Sequence, residues 1–294
     1  MVKRGFSEHI FDTFNIIFMI FVIFLTFYPF YYIICASFSE NSKLLSNMGF
    51  LWWPAGFNTG AYSLTFRFPL VRSGYRNILF ILAAALPINF VITVCCAYLL
   101  AAKNLKFKKP IVFIVMFTMF FSGGLIPSFL NIRSLGLYNS LWALIIPGSL
   151  SVYNAIITKT AMEAIPDSLS ESARIDGAND IYVLVNIILP LITPTLAVII
   201  LYYAVEHWNS WFGAVIYLQD NDKLPIQAVL RSILIENNRI INANNASIEE
   251  GLINQFAETI KYALIIIGTV PVLVIYPFAQ RYFIKGVMIG AIKG

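Results

Sequence analysis

Five carboxylates lie close together in one polar stretch of a chain that is otherwise strongly apolar. They are Glu163, Asp167, Glu171, Asp176 and Asp180, with only Lys159 and Arg174 among them. Anionic lipid headgroups would repel this charge, whereas the Lys and Arg side chains of a basic protein surface would donate charge-assisted hydrogen bonds to it. The pattern favours an acidic docking surface. The alternative is a helix pair that only connects two apolar segments at the membrane interface.

The residues around these acids predict a helix–turn–helix. Ser168, followed three residues later by Glu171, fits a capping box, which satisfies free N–H groups at a helix start. Gly177 is placed to end that helix in the left-handed conformation, and Asn179 or Asp180 can cap the helix that follows. The polar stretch at about 160–189 is therefore predicted to be a structured element.

No arrangement in the sequence resembles a catalytic centre. His9 and His207 are its only histidines, and neither accompanies a nucleophile or a group of metal ligands. Cys35, Cys95 and Cys96 lack C-x-x-C spacing and are typical of small buried side chains. The chain also lacks the G-x-x-x-x-G-K-[ST] loop that cradles the phosphates of ATP. We therefore predict a protein that is not an enzyme and has no cofactor or metal of its own.

The elements that carry these residues are predicted to be membrane-spanning helices. Of 294 residues, 59% are hydrophobic and 12% are charged, with a mean hydropathy of +0.77. Runs long enough to cross about 30 Å of hydrocarbon occur near 11–36, 77–102, 110–130, 137–158, 191–217 and 262–284. We predict an all-α membrane protein that forms one domain, 1–294, with six transmembrane helices. Extracytoplasmic loops are expected at about 37–76 and 218–261.

Charge predicts the orientation of the spans. The densest basic cluster is a short loop that holds Lys103, Lys106, Lys108 and Lys109. Because positively charged loops stay in the cytoplasm, both termini and the polar stretch are predicted to be cytoplasmic in a multi-pass plasma-membrane protein. Six arginines lie in the outer loops, and they weaken the predicted orientation without reversing it: Arg67, Arg72, Arg76, Arg133, Arg231 and Arg239. The net charge of +5 suits contact with membrane lipid and gives no reason to expect nucleic acid.

Two local patterns add detail to the loops. Apolar residues at 226, 229, 230, 233 and 234 repeat at helical spacing, which predicts an amphipathic helix whose apolar face needs a partner. Gly123 and Gly124, just before Pro127, predict a break near the outer end of the third span.

The polar stretch resembles the E-A-A loop of permease subunits of bacterial ABC importers. The loop's pattern is E-A-A, three residues, G, nine residues and I-x-L-P, and it is met here by Glu171, Ala173, Gly177, Ile187, Leu189 and Pro190. Ser172 replaces the middle alanine, a small change that leaves docking intact. The chain also resembles the shorter of the two permeases of maltose-type importers in residues 122–127, 135–139, 175–178, 208–209 and 286–294. Residues 204–211 resemble the branch that handles aldouronate, alginate and related complex oligosaccharides.

This resemblance implies a type I ABC importer permease fold with cytoplasmic coupling helices. The implied partners are a second, longer permease, two ATPase subunits that bind the ATP and Mg, an extracytoplasmic sugar-binding protein and an oligosaccharide substrate. Closure of the ATPases on ATP would move the spans from inward-facing to outward-facing. The alternative is a secondary transporter or channel of six spans, although such proteins normally carry charged relays in several spans.

The resemblance also assigns coupling residues: Glu171, Ser172, Ala173, Asp176, Gly177, Ala178, Leu189 and Pro190. Glu171 is the expected ion-pair partner of a basic ATPase residue. Gly177 is the expected turn through which the helices enter the ATPase cleft, or else only a helix cap. The tail resembles a segment that contacts the ATPase dimer, through Gly290, Lys293 and Gly294, although frayed chain ends have a similar composition.

A second set of residues is a candidate for the translocation path: Glu206, Trp208, Asn209 and Trp211. A carboxylate at membrane depth is costly and marks a functional site by default, and tryptophans can stack on sugar rings. Alternatively, Glu206 pairs with Lys261 and the aromatic residues form an interfacial belt. Four arginines of the outer loops attract an acidic oligosaccharide, bind the acidic face of a binding protein, or snorkel to the headgroups: Arg67, Arg72, Arg76 and Arg133.

Overall fold

The computed structural model describes residues 6–47, 49–103, 105–235 and 256–291. Its helices are α1 (Phe6–Ser37), α2 (Asn41–Ser46), α3 (Gly60–Arg67), α4 (Pro69–Ala101), α5 (Lys108–Phe120), α6 (Leu125–Ser134), α7 (Val152–Glu163), α8 (Asp167–Ile175), α9 (Asp180–Tyr182), α10 (Leu189–Leu191), α11 (Thr193–Trp208), α12 (Trp211–Tyr217), α13 (Ile226–Ile235) and α14 (Ala257–Ala291). A π-helical stretch, Val183–Ile188, joins α9 to α10, and short 3-10 turns cover Leu141–Leu144 and Asn221–Lys223. Across these ranges the only strand-like pairing is an isolated bridge between Ser39 and Phe57. The predicted all-α class is confirmed.

Most of the predicted spans appear as long apolar helices or as broken pairs. In the described part of the chain, three single helices are long and apolar enough to cross a membrane: Ile10–Ser37, Pro69–Ala101 and Glu258–Pro277. Two further pairs are broken, α5 with α6 by a bend of 109° and α9–α10 with α11 by a bend of 86°. Gly124, with φ of +90°, lies in the first break, so the break predicted there is confirmed.

The run at 137–158 is not one continuous helix, and that prediction is wrong. A 3-10 turn at Leu141–Leu144 is followed by non-helical residues up to α7. Pro147 and Gly148 lie in this interruption, where proline lacks the N–H that a helix needs. Apolar composition alone does not reveal that such a run is interrupted.

Polar side chains of the neighbouring spans satisfy the backbone of this interrupted run. The amide of Asn89 on α4 donates to the carbonyl of Gly148 at 2.8 Å. The N–H of Ser151 donates to the hydroxyl of Tyr203 on α11 at 2.8 Å, and that hydroxyl is also 2.7 Å from the hydroxyl of Thr93. Non-helical backbone at membrane depth needs such partners because lipid offers none.

The chain divides into two compact units, residues 1–69 with 232–269 and residues 70–231 with 270–294. The single domain expected from the sequence stays a prediction. In the first unit, Cys35, Ala36, Leu44 and Leu51 form a small core against which Tyr32 and Tyr262 pack. These two tyrosine rings meet edge to face at 5.9 Å. Helix α1 is otherwise exposed along its span, as lipid-facing or partner-facing surface would be.

In the second unit, the amphipathic helix α13 finds its apolar partner within the chain. Ile226, Ala228 and Val229 are fully buried. Gly74 on α4 allows this approach, because a Cβ there would lie only 3.1 Å from the Cα of Ile226. The predicted helix and its need for a partner are therefore confirmed.

Asn139 joins two loops of the second unit at the end opposite the polar stretch. Its Oδ1 accepts the backbone N–H groups of Gln219 at 3.0 Å and Asp220 at 3.1 Å, and its amide donates to the Asp220 carboxylate at 3.0 Å. Lys223 donates to the carbonyl of Asn139 at 2.9 Å. Hydrogen bonds from Lys223 and Asn139 lower the pKa of Asp220 below its ordinary value.

Candidate functional site

The polar stretch folds into a helix–turn–helix, which we call the elbow (residues 167–182). Helix α8 ends at Ile175, and its C-terminus is closed by Gly177, whose φ is +88°. The N–H of Gly177 donates to the carbonyl of Arg174 at 3.1 Å, and the N–H of Ala178 donates to the carbonyl of Ala173 at 2.9 Å. This is a complete Schellman motif, which uses glycine in the left-handed conformation to satisfy the last carbonyls of a helix. The predicted turn at Gly177 is confirmed.

The two helix starts of the elbow differ in how well they were predicted. Asn179 caps α9, because its Oδ1 accepts the N–H of Tyr182 at 2.8 Å, as expected for one of the two candidates. The capping box of Ser168 with Glu171 is wrong. Helix α8 begins at Asp167, so its N-cap position is Pro166, two residues before Ser168, and no side chain caps it.

Apolar residues seat the elbow on the body of the second unit. Ala173 and Ala178, the two ends of the Schellman hydrogen bond, pack with Leu189 against one buried cluster. Its buried members are Val94, Ala97, Met162, Val183, Ile188, Ile192 and Leu196. The cluster joins α4, α7, the π-helical stretch and the start of α11, so displacement of the elbow is transmitted to these helices.

Three of the five acids are paired within the chain. Lys103 forms an ion pair with Asp167, and this hydrogen bond raises the pKa of Lys103. Arg174 pairs with Asp180 at 2.9 Å, which raises the pKa of Arg174. Four cations pair with these three acids, and two of them, Lys103 and Lys108, were not counted as partners in the sequence because they come from the basic loop at the start of α5.

Glu163 is the most strongly compensated of the acids. It pairs with Lys159 at 2.6 Å and with Lys108 at 3.3 Å. Burial alone raises the pKa of Glu163, but hydrogen bonds from Lys159 and Lys108 outweigh this effect and hold the pKa below its ordinary value. The expectation that the acids face only Lys159 and Arg174 is therefore wrong, since both basic loop and elbow lie at the same end of the helices.

Glu171 and Asp176 are the acids that remain available. Both are exposed, and neither forms an ion pair with any residue that the structure describes. Ser172, Gly177 and Pro190 are exposed beside them. The coupling residues assigned by resemblance thus divide into an outward set and a set, Ala173, Ala178 and Leu189, that anchors the elbow.

Exposed isoleucines accompany these two carboxylates, and the sequence reasoning missed them. Ile175 is 86% exposed and Ile181 is 73% exposed. Each lies within a turn of an acid on α8 or α9. The available signal was the alternation of isoleucine with acids in residues 171–181.

The four translocation-path candidates lie around the break between α11 and α12, at the far end of α11 from the elbow. Glu206 and Asn209 are exposed, whereas Trp208 is buried and its ring lies 6.4 Å from that of Tyr75. The face of Trp211 is covered by Arg231, whose Cζ lies 3.5 Å from the ring centroid.

The alternative pairing of Glu206 with Lys261 stays a prediction. Lys261 pairs with Glu258, one turn earlier on α14, at 2.7 Å. Of the proposed tail contacts, Gly290 lies within α14, and Lys293 and Gly294 lie outside the described residues.

Comparisons with known proteins agree with this architecture. Residues 78–289 match the family described as binding-protein-dependent transport system inner membrane component. Two proteins of Bacillus subtilis (strain 168) are each 38% identical to this chain. One is the polygalacturonan/rhamnogalacturonan transport system permease protein YtcP, matched over 90% of this chain and 91% of its own length. The other is Protein LplC, matched over 97% and 95%.

A solved structure extends the likeness to three dimensions. It is the crystal structure of a bacterial ABC transporter involved in the import of the acidic polysaccharide alginate. One of its chains is 29% identical to this one and superposes with a TM-score of 0.88, over 96% of this chain and 100% of that chain. With the type I ABC importer permease fold and an E-A-A loop in place, this transport subunit belongs to the family of binding-protein-dependent transport system inner membrane components.

Proposed function

We propose that this chain is one of two permease subunits of an ATP-driven importer that carries acidic oligosaccharides across a bacterial plasma membrane by alternating access. The observation that carries the proposal is the elbow, which resembles the E-A-A loop of importer permeases. It presents two exposed isoleucines and two carboxylates that form no ion pair with any described residue. Two copies of a cytoplasmic ATPase would supply the energy, one of them seated on this elbow and the other on a second, longer permease.

Each part of the elbow has a physical role in this mechanism. Glu171 and Asp176 accept charge-assisted hydrogen bonds from basic ATPase residues, while Ile175 and Ile181 enter an apolar groove. Ala173 and Ala178 pass the resulting displacement to the buried cluster under the elbow. Because α4, α7 and α11 share that cluster, approach of the two ATPases changes the packing of several spans at once.

The contact between basic loop and elbow supports a cytoplasmic location for both. Lys103 and Lys108 belong to the loop that the positive-inside rule places in the cytoplasm, and their partners Asp167 and Glu163 belong to the elbow region. The ends of α11 and α12 near Asn139 then face the outside, where a sugar-binding protein delivers the substrate.

Two observations support an acidic substrate. Relatives of this chain are named for polygalacturonan and rhamnogalacturonan transport and for alginate import, and all three polymers carry uronates. Arg72 and Arg76 lie one turn apart on the exposed face of α4, and neither forms an ion pair in the part of the chain that is described. An acidic oligosaccharide would neutralise such arginines, whereas a neutral one would not.

Purification and reconstitution test the proposal. The tagged chain, extracted from its native membrane, is expected to bring down a second permease and two ATPase copies in native mass spectrometry. In proteoliposomes with the binding protein, the complex is expected to take up trigalacturonate only with ATP. A chain that purifies alone and moves the sugar without ATP would instead be a secondary transporter or channel.

A further inference from the structure

We infer that Trp211 and Arg231 form a binding site for the carboxylate of a uronate sugar at the end of α11 opposite the elbow. The inference rests on the proposed function and adds the residues that recognise the acidic group. The guanidinium of Arg231 lies over the indole of Trp211, with Cζ 3.5 Å from the ring centroid. This distance is van der Waals contact, so the cation covers one face of the ring.

A guanidinium that contacts a ring through its face can still use its edge for hydrogen bonds. Guanidinium N–H groups lie in the plane of the group, so stacking through the face leaves them pointing sideways. Arg231 is exposed, and no carboxylate within the described ranges pairs with it. The tryptophan thus holds a cation in place without neutralising it. A carboxylate is the group that matches this edge in a bidentate geometry.

The surrounding helices hold this pair in place. Arg231 lies on α13, whose other side is buried through Ile226, Ala228 and Val229. The close contact of Ile226 with Gly74 leaves α13 little freedom to move away from α4. A guanidinium that is already oriented loses less rotamer freedom on binding a ligand, so the site is preorganised for an anion.

The position and the neighbouring ring suit a sugar. Trp211 begins α12 directly after the break that follows Trp208, and irregular backbone at membrane depth is tolerated where it lines a cavity or is buried in protein. Phe212, which is 53% exposed, meets the edge of Trp211 at 5.4 Å. A uronate therefore finds a cation for its carboxylate and an aromatic ring for the apolar C–H face of its pyranose.

Nearby acids leave the cation available. Asp220, close in the chain to α12, is occupied by Lys223 at 2.8 Å and by the amide of Asn139 at 3.0 Å. Glu206 precedes the break and forms no ion pair with Arg231 or with any other described residue. The alternative role of the Trp211–Arg231 pair is purely structural: a cation–π contact, here called a pinning contact, that only fixes α13 against α12.

Substitutions that keep the packing but remove the charge separate these two roles. Arg231→Met still places a polarisable side chain on Trp211, so a pinning contact is largely preserved. Arg231→Gln removes the charge and shortens the side chain, and Arg231→Lys keeps the charge without the planar edge. Each variant is reconstituted with the wild-type second permease, ATPases and binding protein, and the KM for uptake of trigalacturonate and of its neutral methyl ester is measured.

We expect the KM for trigalacturonate to rise about tenfold or more in Arg231→Met and Arg231→Gln, and by less in Arg231→Lys. The ratio of the acid KM to the ester KM should rise by the same factor. Because the binding protein is the same throughout, a change in this ratio arises in the permease. Equal losses for both sugars, or no change in either, would overturn the site and leave only a pinning contact.

The proposed function fails in a different way. If the wild-type complex takes up the ester and not the acid, the acidic substrate and the site are both wrong. If the wild type takes up the acid well and Arg231→Met does so equally well, only the site is wrong.

Discussion

A substitution at Gly177 distinguishes a docking surface from a simple helix cap. Gly177 has a φ of +88°, and a Cβ built on it meets no described atom of this chain within 4 Å. Alanine there costs only the left-handed conformation, about 1 kcal/mol, which lowers the ratio of folded to unfolded elbow about fivefold. Asparagine tolerates that conformation better than alanine and projects further from the backbone. The variants Gly177→Ala and Gly177→Asn therefore separate strain from bulk.

If an ATPase groove encloses the turn, bulk matters more than strain. We expect Gly177→Asn to lower ATP-dependent uptake at least tenfold, which corresponds to about 1.4 kcal/mol of lost docking free energy. Gly177→Ala should have the smaller effect on uptake and the larger effect on amide hydrogen exchange in residues 173–180. Uptake and ATP hydrolysis are measured on the same proteoliposomes, so that hydrolysis without transport is detected.

The opposite ranking would refute the docking argument. If Gly177→Asn transports at the wild-type rate while Gly177→Ala loses activity in step with its local stability, then Gly177 serves only to end α8. The amount of each variant recovered in the membrane, compared with wild type, controls for losses during assembly.

Three further predictions follow from other contacts. Glu171→Gln should weaken ATPase binding about tenfold at low salt, and the difference from wild type should shrink as added salt screens the pair; equal binding at low salt would contradict the ion pair. Tyr203→Phe leaves the partly buried N–H of Ser151 without its partner at 2.8 Å, so thermal unfolding in detergent should show a loss of about 1–3 kcal/mol, and an unchanged midpoint would contradict this role. Because the folded protein lowers the pKa of Asp220, the contribution of this carboxylate to the stability of its loop is complete above the ordinary carboxyl pKa. It is lost as the pH falls through the lowered value. Amide exchange of residues 217–223, corrected for intrinsic rates, should therefore rise below about pH 4; protection that persists to lower pH would show that Asp220 is dispensable.

The elbow could be predicted from sequence because its determinants are local. Gly177 and Asn179 each act on backbone groups within five residues, so the turn and the second cap follow from residue type and spacing. The prediction of an N-cap at Ser168 was wrong. Helix α8 starts at Asp167, which forms an ion pair with Lys103, a residue far away in the sequence that a local pattern does not include.

The membrane spans, too, could be predicted only where local sequence determines them. Hydropathy found the apolar runs, but it could not show that Pro147 and Gly148 interrupt one of them, since that depends on Asn89 and Tyr203 from other helices. The tryptophans near α11 were identified as candidates from composition alone. That Trp211 faces Arg231 and Trp208 faces Tyr75 depends on how α12, α13 and α4 pack, which no local pattern encodes.

The interrupted run between Leu144 and α7 has a mechanical consequence. A continuous helix resists bending because each backbone N–H donates to the carbonyl four residues earlier. A change of shape must break several of these hydrogen bonds together. Residues 145–151 instead combine a few local backbone hydrogen bonds with bonds to side chains of adjacent spans, the amide of Asn89 and the phenol of Tyr203. Such a stretch can exchange these few bonds one at a time while α7 stays intact, so it can bend where a continuous helix would not.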